Sequence, residues 1–253
     1  MRTPESSPAA HLMPIQHAGE LALGQKIELC GAQVRALRFR QLNAKEAFTV
    51  VDASGRYFRA SLSVLLPERG EALVYEQMPS SPESPAHITL LCAVLARQRM
   101  LAVIQKATEL GVMCVQPVLS ERSVQAGGLE HEKAHAWPAQ ALRAARQCRR
   151  ASIPDVRAPL SLEAALLEQT FRSADCRFYL DDRTASDAPL GGERVKPRRV
   201  VFVVGPEGGF TDQERACLRQ HDARALQLGG RVLRAETAVF VGLTLLQHAY
   251  GDL

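Results

Sequence analysis

Apolar and polar residues alternate in short runs through roughly residues 20–75. Lys26-Ile27-Glu28-Leu29 alternates one by one, the period of a half-buried strand. Ala47-Phe48-Thr49-Val50-Val51 and Tyr57-Phe58-Arg59-Ala60-Ser61-Leu62 flank Asp52-Ala53-Ser54-Gly55, a hairpin-type turn. The pattern predicts a small all-β module, with a barrel as one form of it. Val34–Arg40 carries arginines at 35, 38 and 40, which suits either an ordinary amphipathic turn or an RNA-facing patch. Three prolines and three serines between Glu76 and Pro85 can continue neither a helix nor a central strand, so a boundary falls there. The chain is thereby divided into domains at 1–78 and 86–253.

Beyond the boundary the period changes. His87–Leu95 is nearly continuous apolar sequence, as in a strand covered on both faces. Met100, Val103, Ile104, Ala107 and Leu110 then recur at helical spacing, and Gly111 stands where a left-handed stop is cheapest. Val112–Leu119 completes a βαβ unit, which implies a parallel sheet with a right-handed crossover. Helices are predicted at about 137–150 and at Leu162–Glu168 with Ser161 as cap, and strands at Cys176–Leu180 and Arg199–Val204. Thr211-Asp212-Gln213-Glu214 reads as a capping box. A short strand at Ala225–Leu228 precedes a last helix over about 236–250. That helix is apolar almost all round, so it is expected in a sandwiched core or at a subunit interface.

Two loops follow buried strands and precede helices, the place where open α/β sheets bind ligands. Gly205-Pro206-Glu207-Gly208-Gly209 lets the backbone approach a ligand closely, yet it is neither G-x-G-x-x-G nor a Walker loop. Leu228–Ala238 sets Arg231, Arg234, Glu236 and Thr237 at the head of an apolar helix, where charges need partners or ligands.

The chain has 253 residues, 46% hydrophobic and 23% charged, with a net charge of +4 at pH 7. That charge is too mild to establish nucleic-acid binding by itself. Of 31 basic residues only five are lysine, and arginine suits phosphate and base stacking, although genomic GC bias favours it too. The six cysteines form no C-x-x-C and are expected as buried, reduced thiols of a cytoplasmic protein. No histidine pair stands at zinc-ligand spacing beside a cysteine, and His131 and His135 are read as solvent-facing, so no metal is expected. No stretch approaches the ~20 apolar residues of a membrane span. The first twenty residues do not read as a secretory signal.

Four segments, QKATELGV at 105–112, SERSV at 120–124, GPEGGF at 205–210 and LGGRVLRAETA at 228–238, stand in the order found in one family. On these the chain resembles the small-subunit (16S) ribosomal RNA uracil-N3 methyltransferases of the RsmE type, within the SPOUT superfamily. The resemblance implies an N-terminal PUA-like β-barrel for RNA recognition and an α/β domain with a trefoil knot. It also implies S-adenosyl-L-methionine as cofactor, 16S rRNA or the small ribosomal subunit as partner, and a homodimer packed through the knot. The cofactor pocket would be formed by Leu180, Gly205, Glu207, Gly208, Gly209, Leu228, Gly229, Leu233, Thr237 and Ala238. Arg231 and Arg234 are candidates for clamping phosphate or stabilising charge on a uracil oxygen, with Glu236 orienting them; Arg234 and Glu236 paired only with each other is the structural alternative. Arg35, Arg38, Arg122 and Arg150 are candidates for RNA contact. The sequence departs from the family at Arg146 for a usual glutamate, at Arg149 for a usual glycine, and at Ala32 for a frequent histidine. Arg143, Arg146 and Arg150 are expected on one helical face, either contacting phosphate or as a solvated stripe.

Overall fold

The period-two runs fold into a five-stranded sheet: β1 (Ile15–Gln16), β2 (Lys26–Cys30), β3 (Ala47–Val51), β4 (Tyr57–Leu65) and β5 (Arg69–Gln77), in the order β1-β3-β4-β5-β2. β1 runs parallel to β3; the other pairs are antiparallel. Register shifts at Arg59/Ala60 and Leu62/Val64 interrupt the β4–β5 ladder, and such irregularities increase local twist and curl the sheet. The computed structural model describes residues 10–181, 183, 190–191 and 195–253.

The expected turn at 52–55 closes β3 onto β4. The Asp52 carboxylate accepts from the amides of Ser54 and Arg56, from the Ser54 hydroxyl and from the Arg56 guanidinium, while Leu21 N reaches it at 3.3 Å. The unit is not all-β, however. The arginine run forms a helix, α1 (Ala32–Phe39), because Val34, Ala36 and Leu37 fall on one side and join the core of Leu29, Phe48, Val50, Phe58 and Val74. That leaves Arg35 and Arg38 exposed.

Residues Ala145–Ile153 belong to this same compact unit, although the sequence grouped them with the second half. They overturn the solvated stripe expected of Arg146 and Arg150. Arg146 pairs with Glu46 at 2.6 Å. The helix ends at Gln147, so Arg150 lies off its face. Its side chain is 3% exposed and donates to Glu83 from Nη2 at 2.7 Å. Glu83 also accepts from the amides of Ala151 and Ser152. A guanidinium this buried and neutralised presents nothing to an RNA phosphate, so Arg150 is withdrawn as an RNA contact.

The second unit is a parallel sheet covered on both faces. Its elements are β6 (His87–Ala93), α2 (Arg97–Glu109), β7 (Cys114–Leu119), α3 (Trp137–Gln147), β8 (Asp155–Val156), β9 (Leu160–Ser161), α4 (Leu162–Leu167), α5 (Gln169–Arg172), β10 (Cys176–Leu180), β11 (Arg199–Val204), α6 (Asp212–Gln220), β12 (Arg224–Leu226) and α7 (Ala235–Tyr250). The order is β12-β10-β11-β6-β7-β8, with β9 beside β7. Alternate residues of β6 and β11 supply two cores. Ile88, Leu90, Phe202 and Val204 meet Met100, Ile104, Val239 and Leu243 on one face, and Leu91, Val201 and Val203 meet Leu166, Phe171 and Leu218 on the other. This is why those strands read as unbroken apolar runs.

Helix α7 approaches the sheet at Gly242, where a Cβ would stand 2.2 Å from the Phe202 ring. Only one side of α7 is buried within the chain; Val241 and Leu245 on another are 38% and 39% exposed. It is therefore not sandwiched here. All six cysteines are free thiols, but only Cys92 and Cys114 are buried; the expectation of burial fails at Cys30, which is exposed, and holds only in part at Cys148, Cys176 and Cys217. His131 and His135 are exposed and outside any α-helix.

Candidate active site

The strands β10, β11 and β12 lie side by side and parallel, so their carboxyl ends open on one edge. Their ends and the head of α7 line one cleft: Leu180 and Asp181 after β10, Val204–Phe210 after β11, Leu226–Gly229 and Arg231–Leu233 after β12, and Ala235 and Ala238 on α7. Every cofactor candidate taken from the sequence lies on it except Thr237. Thr237 is exposed and turned off the cleft, a position set by the helix period, since Ala238 faces inward one residue on.

The 205–210 loop is shaped by its glycines. Gly209 has φ +67°, and its amide closes a turn onto Pro206 O at 2.9 Å. A Cβ on Gly205 would press on the Phe210 ring at 3.1 Å, so the missing side chain lets that ring fold under the loop. Below the loop, Thr211 Oγ1 accepts from Glu214 N at 3.2 Å and Glu214 Oε2 accepts from Thr211 N at 2.8 Å, completing the expected capping box. The other oxygen of Glu214 accepts from Glu121 N at 2.8 Å, and Arg122 Nη1 donates to Gly208 O at 2.8 Å. The loop after β7, home of the SERSV segment, thus clasps the glycine loop. Arg122 is exposed and spends one donor on that backbone.

Arg231 lines the cleft and is exposed. Arg234 occupies the N-cap of α7, exposed, with no side-chain ion pair among the described residues. Glu236 orients neither of them, as the sequence reading had it. Its Oε1 instead faces Arg99 Nε at 3.9 Å. Arg99, in the first turn of α2, also donates from Nη1 to Glu207 Oε1, and this contact holds the guanidinium pKa above its usual value. The sequence reading missed Arg99, although Ala96–Arg99 also follows a buried strand and opens a helix, the same signal that singled out the other two loops. Asp181, Phe210 and Arg215 were missed as well. Arg215 pins the loop by donating to Phe210 O and to Asp212, both at 2.5 Å.

The cleft joins an apolar floor (Val204, Leu226, Leu228, Leu233, Ala235, Ala238) to exposed loop backbone and to the carboxylates of Glu207 and Asp181. A flat heteroaromatic ring suits the floor, while the carboxylates already face arginines, Glu207 facing Arg99 and Asp181 facing Arg219. Among the described residues, no group of three His, Cys, Asp or Glu is placed to hold a metal.

A family model described as an RNA methyltransferase domain matches residues 82–247. A ribosomal RNA small subunit methyltransferase E of Synechocystis is 31% identical over 231 residues, which span 89% of this chain and 74% of that one. Its counterpart in Mesomycoplasma hyopneumoniae is 30% identical over 182 residues, 71% of this chain and 78% of the other. The crystal structure of ribosomal RNA small subunit methyltransferase E from Neisseria gonorrhoeae bound to S-adenosyl methionine matches with a TM-score of 0.67. Its identity is 31%, over 95% of this chain and 99% of that one.

Proposed function

The chain belongs to the ribosomal RNA small subunit methyltransferase E family, and from that premise we propose that it transfers a methyl group from S-adenosyl-L-methionine to N3 of one uridine in 16S rRNA. The observation that carries the reading is the cleft at the ends of β10, β11 and β12, lined by the residues that the family motifs bring to it.

Bound there, the sulfonium compound supplies an activated methyl carbon, so the protein needs no metal to activate it. Leu228, Leu233 and Ala238 would hold the adenine, and the glycines at 205, 208, 209 and 229 would let the backbone approach the cofactor closely. The uracil N3–H is a poor nucleophile until its proton leaves, to water at the exposed mouth of the cleft. Arg231 and Arg234, exposed at the mouth, take the developing charge on a uracil oxygen or clamp a flanking phosphate. Glu207 and Glu236 are held by Arg99, which fixes the glycine loop against α7. Holding the base in line with the methyl carbon is worth several kcal/mol of barrier, on the order of 7–11 in the best cases.

The reading extends to the rest of the chain. The curled five-stranded sheet serves as the PUA-like RNA-binding module, and the loops 205–210 and 227–234 form the trefoil knot. The protein works as a homodimer in the cytoplasm; Val241 and Leu245, left exposed on α7, support the pairing. No described helix is long and apolar enough to cross a membrane.

Mass-spectrometric mapping of rRNA from cells lacking the gene tests the proposal. Loss of one N3-methyluridine from 16S rRNA is the expected outcome. Loss of a different methylated nucleotide would reassign the target, and an unchanged map would remove the activity.

A further inference from the structure

One aromatic pair in the first unit has no part in methyl transfer. The rings of His11 and Phe39 stand 3.9 Å apart, centroid to centroid, at 44°. Phe39 is 44% exposed, while Val34, Ala36 and Leu37 of the same helix are buried. A lone exposed ring needs no explanation, but this one has company. Arg35 lies four residues before it, on the same helix face, and Arg38 lies beside it. Both arginines are exposed, and among the described residues neither makes an ion pair.

The surroundings hold the pair in place. Arg40 is buried and its Nη2 donates to Met13 O at 2.6 Å; burial lowers its pKa to about 10. Gln33 Nε2 donates to Gln16 O at 2.6 Å, and Leu12 O accepts from Ile153 N at 2.9 Å. The segment bearing His11 is thus tied to α1 and its C-cap at two points, and to Ile153 at a third. A braced ring between two cations that make no ion pair among the described residues is preorganised for a ligand that has both a flat face and negative charge. Unpaired nucleotides have both, and proteins hold them by aromatic stacking and phosphate contact.

We propose that Phe39, backed by His11 and flanked by Arg35 and Arg38, is a stacking platform for one unpaired base of the RNA substrate. This rests on the reading of the chain as an rRNA methyltransferase. The base stacks on the free face of Phe39, and the arginines take the adjoining phosphates.

The test uses the full chain and two labelled probes, a short single-stranded oligouridine and an abasic ribose-phosphate strand of equal length. Binding is followed by anisotropy across a salt series. Phe39→Leu should weaken oligouridine binding about tenfold and leave the abasic strand unaffected. Joint replacement of Arg35 and Arg38 by alanine should weaken both probes and flatten the salt dependence by about one unit of slope or more. Phe39→Trp should keep the affinity. Its exposed indole, distinct from the buried Trp137, should be quenched by oligouridine but not by the abasic strand. Circular dichroism spectra and melting curves like those of the wild type certify that each variant is folded. Wild-type binding by Phe39→Leu together with no quenching in Phe39→Trp would overturn the proposal and give the ring to a protein partner or to none. Failure of the wild type itself to bind RNA would instead bring down the reading on which the proposal stands.

Discussion

Arg149 has φ +64°, in the left-handed region where a side chain costs roughly 1–2 kcal/mol. The family resemblance puts glycine there. Arg149 offsets part of that strain by pairing with Glu76 at 3.3 Å, but its side chain is 58% exposed and such pairs are worth ~0–1 kcal/mol. Strain outweighs the pair, so Arg149→Gly should stabilise the protein by about 1 kcal/mol and raise its melting temperature by about 2–4 °C. The hydrogen bond from Thr49 Oγ1 to Arg149 O uses the backbone and survives the change. Asp52 bears on stability in acid. Burial alone would raise its pKa, but hydrogen bonds from Arg56, Ser54 and Leu21 outweigh burial and hold it far below the usual value. A carboxyl whose folded pKa is depressed stabilises the fold above its unfolded pKa of about 3.9. That contribution is lost as pH falls from there through the folded value. Asp52→Asn should cost about 1–3 kcal/mol at neutral pH, and acid titration followed by circular dichroism should show a shallower loss than in the wild type.

Among the elements, α7 approaches β11 closely at Gly242. A methyl group on Gly242 would sit 2.2 Å from Phe202, deep in the core. Gly242→Ala should destabilise by about 1–3 kcal/mol or more, and Phe202→Leu in the same chain should recover part of that loss in a denaturant double-mutant cycle. The glycine loops were legible in the sequence because each follows a buried strand and precedes a helix, the first of them opened by the Thr211–Glu214 capping box. α1 was not, because its inward residues Val34, Ala36 and Leu37 are few and stand among arginines that read as a charged turn. Helical periodicity carried Arg150 onto the face of α3, but the helix stops at Gln147 and the left-handed Arg149 turns the chain. The pairing of Glu236 with Arg99 joins elements far apart in sequence, and local spacing holds no record of it.

At the scale of the whole molecule, the parallel sheet explains where chemistry can occur. Both its faces are filled by helices, so a ligand is left only the strand ends. There three loops converge, braced by Arg99, Arg122 and Arg215. The central claim is that this cleft holds S-adenosylmethionine, and Ala238 is its narrowest test, a small residue on the apolar floor. Calorimetric titration of the cofactor into the wild type and into Ala238→Phe, with melting curves to confirm that both are folded, measures the claim directly. Saturable one-to-one binding to the wild type and its loss in the variant is the predicted result; equal binding to both, or none to the wild type, would contradict it.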